Sequence, residues 1–204
     1  MAIRAVFFDI GGVLLRTVDP GPRWQWEQRL GLEPGRLVRL VFENPVAQKS
    51  TIGQATEAEV WQEVGRSLNL ALPQVAELRE DFFAGDRWDE DLLAFIHKLR
   101  SRIRTGVISN SWLGTRRAMA KWIKPETFDA MVFSAEEKCR KPEEKIYRIA
   151  LDRLGLAPEE AMFFDDFQEN VDAARRIGIE AVLFQGAHPT IQKLRKIFLS
   201  TSPL

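Results

Sequence analysis

Five short apolar runs, AVFF (5–8), TGVIS (105–109), AMVFS (130–134), AMFF (161–164) and AVLF (181–184), alternate with helix-length segments. Runs this short do not make buried helices, and strands covered on both faces read as continuous apolar stretches. The alternation therefore predicts parallel strands joined by crossover helices, a doubly wound α/β fold.

Between about residues 16 and 86 that rhythm breaks. Amphipathic patterns there are punctuated by DPGP, GLEPG, ENP and LALP, combinations that favour turns. Thr56 and Glu59 form a capping-box signature ahead of VWQEVGRSL, in which Val60, Val64 and Leu68 share one helical face. We expect an inserted bundle of about four helices at 16–86, with the α/β core built from 1–15 and 87–204. Because the insert follows the first strand, it is expected over the carboxyl ends of the strands, where doubly wound sheets bind ligands.

Composition narrows the partners. Lys+Arg and Asp+Glu both number 29, and the basic clusters RKPEEK and KLRSRIR are short and mixed with acidic or apolar residues. Neither nucleic acid nor an anionic membrane is expected as a partner. No apolar run approaches the roughly 18 residues of a membrane span, and Asp9 interrupts the stretch a signal peptide would need, so a cytoplasmic location is expected. A lone cysteine, Cys139, agrees with a reducing compartment and reads as a bystander, although Lys138 and Arg140 beside it could lower its pKa. His97 and His188 read as structural, Trp24, Trp26, Trp61 and Trp88 as core, and the STSPL tail (200–204) as frayed.

Several runs end in polar residues that a parallel sheet gathers on one rim: Asp9, Ser109 with Asn110, the 134–141 loop, and Asp165 with Asp166. Alone, each reads as a loop start or a helix cap. Together they bring three carboxylates close, which repel one another and resist burial unless cations compensate. Lys141 and a divalent ion answer that need. Mg²⁺ suits the oxygen donors and completes its shell with substrate phosphate, whereas two histidines and one cysteine offer no zinc set.

In this order the residues resemble the four motifs of the haloacid dehalogenase (HAD) superfamily of phosphohydrolases: FFDIGGVL, GVISNSW, RKPEEKIY and MFFDDFQENVDAARRIGI. The resemblance covers nearly the whole chain and likens the insert to that family's helical cap on a HAD-like Rossmannoid core. It implies Mg²⁺-dependent hydrolysis of a small phosphomonoester, sugar phosphates among the candidates, by a monomer or homodimer whose partner is a small phosphorylated metabolite. By position it implies that Asp9 is the nucleophile and becomes an aspartyl-phosphate. Ser109, Asn110 and Lys141 would hold the phosphoryl group, with Lys141 neutralising charge shared with Asp9. The metal would lie on Asp9, the main-chain carbonyl of Gly11, Asp165 and Asp166, with Asn170 assisting. Gln54 is a candidate specificity residue in the cap, and Trp112 a candidate to face the site.

One position departs from the pattern. Most phosphatases of this family carry a second Asp two residues after the nucleophile, which protonates the leaving group and later activates water. Gly11 stands there instead. Loss of that group, typically worth about 10²- to 10⁴-fold, implies a slow enzyme, a substrate with a good leaving group, or a substitute residue. A subset of sugar-phosphate phosphatases resembles this chain in having Asp-x-Gly with paired acids. Two alternatives remain open: a catalytically degenerate HAD domain that binds phosphate or a protein partner, and a metal-independent 2-haloacid dehalogenase, against which the paired acids speak.

Overall fold

In the computed structural model, which describes residues 2–199, β1 (Ala5–Phe8) is buried over its whole length at the centre of a five-stranded sheet. It pairs in parallel with β4 (Arg104–Ser109) on one side and β6 (Ala161–Asp165) on the other. β5 (Ala130–Phe133) and β7 (Glu180–Leu183) complete the sheet in the order β5-β4-β1-β6-β7, all parallel. The five apolar runs thus form the five strands, and the STSPL tail lies outside the described residues.

Alternation along β1 serves two cores. Ala5 and Phe7 pack with α9 (Glu144–Leu154) and α10 (Gln168–Arg176) on one face. Val6 and Phe8 pack on the other against α6 (Glu90–Leu99) and α11 (Ala187–Phe198). Phe8 and Phe164 stack with ring centres 5.5 Å apart, tying the strands that carry Asp9 and Asp165. Short helices α7 (Thr115–Met119) and α8 (Ser134–Glu137) follow β4 and β5. Parallel strands end on one rim, so Asp9, Ser109, Ser134 and Asp165 come to the same side.

Five helices, rather than about four, fill the insert: α1 (Gly21–Arg29), α2 (Arg36–Phe42), α3 (Pro45–Ser50), α4 (Glu57–Ser67) and α5 (Leu72–Ala84). The extra one is α3, too short to show a period; Asn44 caps it, accepting from the amides of Val46 and Ala47. The Thr56–Glu59 capping box forms as expected. Trp26, Trp61 and Phe82 anchor a core separate from those of the sheet. Trp24 departs from its expected place: it is 55% exposed, on the solvent side of α1. Two short strands, β2 (Leu15–Thr17) and β3 (Asp86–Trp88), pair antiparallel where the chain enters and leaves the insert. Among the described residues, no helix is long and apolar enough to cross a membrane.

Candidate active site

Asp9 lies just beyond β1 and Asp165 closes β6, one strand away. Between them stands the ammonium of Lys141, with Nζ 2.7 Å from Asp9 Oδ1 and 2.6 Å from Asp165 Oδ2. All three are almost wholly buried. The contact with Asp165 is a directed hydrogen bond, whereas that with Asp9 is a charge contact without hydrogen-bond geometry. Asp165 is fully engaged, since its Oδ1 accepts from the Phe167 amide at 2.8 Å and from Asn170 Nδ2 at 2.9 Å. Asn170 thus orients Asp165 in this structure. Behind it, the Tyr147 hydroxyl donates to the Asn170 carbonyl at 2.9 Å.

Asp166 completes the acidic group: one oxygen from each of Asp9, Asp165 and Asp166 can be chosen so that all lie within 4.8 Å of one another. Its Oδ1 is buried with no hydrogen-bond partner among the described residues. Burial, with repulsion from Asp9 and Asp165 added, pushes its pKa up to about 6. Burial likewise raises Asp9 above the usual carboxylate range, although Lys141 pulls the other way. For Lys141, burial opposes the charge, but Asp9 and Asp165 outweigh it and hold the ammonium above its ordinary pKa. Three carboxylates against one lysine leave a deficit of positive charge, and a buried carboxylate oxygen without a donor fits a hard divalent cation.

Two glycines shape the approach. Gly12 has φ +79°, and a Cβ there would come within 2.0 Å of Asp166 Oδ2, so only glycine lets Asp166 sit where it does. At Gly11 the opposite holds: a Cβ would meet no described atom within 4 Å.

Ser109 is buried at the end of β4, on the same rim. Asn110 follows it, but both ends of its amide are already engaged by Lys141. Its Oδ1 accepts from the Lys141 amide at 2.8 Å and its Nδ2 donates to the Lys141 carbonyl at 2.9 Å. Ser111, which the sequence does not distinguish from its neighbours, has a buried hydroxyl with no partner among the described residues. Trp112 turns into the helical insert, 5.7 Å from the Phe42 ring. Gln54 is exposed, and Gly53 beside it presses on α8, where a Cβ would meet the Ala135 carbonyl at 2.5 Å. Arg140, next to Lys141, reaches the insert at Gln48 and Thr51. Burial raises the pKa of Cys139 in spite of its basic neighbours, which agrees with an inert thiol. His97 is exposed on α6, and His188 sits on α11 beside Gln192.

Known proteins share this architecture. Rat bifunctional epoxide hydrolase 2 is 26% identical over 216 residues, covering 97% of this chain and 39% of that protein. The chain thus spans about two fifths of the length of that relative. A phosphatase of Mycobacterium tuberculosis is 26% identical over 90% of this chain and 88% of its own. A HAD family enzyme of Bacteroides thetaiotaomicron, crystallised with magnesium and inorganic phosphate, has the same fold, with TM-score 0.72, 21% identity, and coverage of 92% of this chain and 96% of that one. Residues 3–178 match the family model of the haloacid dehalogenase-like hydrolases. The chain belongs to that family.

Proposed function

We propose that this chain is a Mg²⁺-dependent phosphatase of small phosphomonoesters, working through an aspartyl-phosphate on Asp9. The observation that carries the reading is the buried ion-pair arrangement: Lys141 between Asp9 and Asp165, with the Asp166 oxygen unpartnered beside them. The names of the Mycobacterium phosphatase and the magnesium–phosphate complex of the Bacteroides enzyme support it.

A carboxylate oxygen of Asp9 attacks phosphorus, the bond to the leaving oxygen breaks, and the electron pair departs with that oxygen. Water then attacks phosphorus, the bond to Asp9 breaks, and inorganic phosphate leaves with the carboxylate restored. Splitting one displacement into two lowers each barrier. Lys141 offsets charge shared between Asp9 and the phosphoryl oxygens, and the Ser109 hydroxyl donates to one of those oxygens. Asp9, Asp166 and the Gly11 carbonyl would hold Mg²⁺, with Asp165 adjoining. The ion, when bound, supplies the positive charge that lets the carboxylates and a phosphate dianion share one site. Asp165, held by Asn170 and the Phe167 amide, keeps Lys141 aimed at Asp9. The helical insert acts as a cap over this rim.

Phosphate release from an aryl phosphate tests the reading. It should require Mg²⁺, stop in EDTA and vanish in Asp9→Asn; turnover that survives that substitution rules out Asp9 as nucleophile.

A further inference from the structure

We infer that Arg140 is a positioning residue for the reaction: it fastens the loop that carries Lys141 to the helical insert, so that the placement of this lysine depends on the seat of the cap. The inference rests on the reading of Lys141 as the group that offsets charge on the phosphoryl oxygens, and adds to it a way for the insert to act on the chemistry.

Arg140 precedes Lys141, and its side chain crosses from the core to the insert. Nη1 donates to Gln48 Oε1 on α3 and lies 3.4 Å from the hydroxyl of Thr51, just after that helix. Both acceptors are set by bonds within the insert. Gln48 Nε2 donates to the Phe42 carbonyl at 2.9 Å, which fixes the sense of the amide and leaves Oε1 for Arg140. The Thr51 hydroxyl gives its proton to the Gln48 carbonyl at 2.8 Å, so toward Arg140 it accepts. A guanidinium, which only donates, therefore meets two prepared acceptors, and its charge strengthens the bond it makes.

The lysine loop is thus held from two sides. Asn110 binds the main-chain amide and carbonyl of Lys141 from the core, while the insert holds the residue before it. Two further contacts seat the same stretch of insert on the same rim. The Phe42 ring lies 5.7 Å from that of Trp112, in the loop after Ser109, and Gly53 presses on the Ala135 carbonyl of α8. Lys141 Nζ works at 2.7 Å from Asp9 and 2.6 Å from Asp165, and a shift of about an ångström at such a site can cost on the order of 10²-fold in rate. Loss of the Arg140 contact frees one side of the loop that sets those distances.

The test measures kcat and KM for para-nitrophenyl phosphate with Mg²⁺ in the wild type, Arg140→Ala, Gln48→Ala and the double variant. Arg140→Ala should lower kcat about 10-fold or more and change KM by less than about threefold. Gln48→Ala should lower kcat at least about fivefold, and the double variant should match Arg140→Ala within about twofold, because both substitutions remove the same contact. Losses that multiply in the double variant, a raised KM with kcat intact, or a lowered melting temperature with kcat per folded molecule unchanged each overturn the inference while leaving the phosphatase reading standing. If Arg140→Ala does not fold, Gln48→Ala decides alone, and an unchanged kcat there overturns the inference. A wild-type protein that releases no phosphate defeats the phosphatase reading, and this inference with it.

Discussion

The side-chain amide of Asn110 closes two hydrogen bonds on the main chain of Lys141, 2.8 Å to its amide and 2.9 Å to its carbonyl. The loop carrying the lysine is thereby fastened to the end of β4, although 31 residues separate the two in sequence. A displacement of about an ångström can cost on the order of 10²-fold in rate. Asn110→Ala should therefore lower kcat about 10- to 100-fold with little change in KM. An increase in KM alone, with kcat intact, would assign Asn110 to substrate binding instead.

Among the described residues, Lys141 is the only cation in contact with the buried pair Asp9 and Asp165. Removing one partner of a buried pair leaves an uncompensated charge, at a cost of about 3–5 kcal/mol. Lys141→Met should lose about that much stability in EDTA by urea denaturation, and Mg²⁺ should restore part of it. An unchanged denaturation midpoint would mean that the lysine does not neutralise the site.

Asp166, raised to about 6, and Asp9, raised as well, hold protons more tightly folded than unfolded. Groups raised in the folded state stabilise it below their unfolded pKa, and that contribution is lost as pH rises through the folded value. The metal-free protein should therefore lose melting temperature as pH rises from about 4 through about 6, relative to the same protein in Mg²⁺. Calorimetric scans in EDTA and in Mg²⁺ check this, since the carboxylates lowered elsewhere act equally in both. Parallel curves would contradict a shared metal site at these acids.

Within the insert, buried Glu27 accepts at 3.0 Å from the Leu37 amide, at the start of α2, where the cap residue Gly35 offers no side chain. Glu27→Ala leaves that amide unsatisfied and should cost about 1–3 kcal/mol. Urea denaturation reads the loss directly.

Much of this architecture is legible in the sequence because its central strands β1 and β6 are buried over their whole length and β4 over all but its first residue, which writes them as largely apolar runs. β2 and β3 are three residues each and half-exposed, and α3 spans six, so none shows a period. Trp24 and Trp26 look alike in sequence, yet two positions along one helix put them on opposite sides of it. The convergence of Asp9, Lys141, Asp165 and Asp166 is legible by order and spacing, because each follows or ends an apolar run that a parallel sheet brings to one rim. The hold of Asn110 on the Lys141 main chain is not, because a backbone acceptor carries no side-chain signature. Cys139 shows the converse: Lys138 and Arg140 beside it are visible in the sequence, while the burial that raises its pKa comes only with the fold.

The most direct measurement is peptide mass spectrometry of the wild-type protein quenched in acid during turnover of acetyl phosphate with Mg²⁺. The account predicts a phosphoryl group on the peptide that carries Asp9, absent in Asp9→Asn. Phosphate release with that peptide unmodified, or a phosphoryl group on another residue, would contradict it.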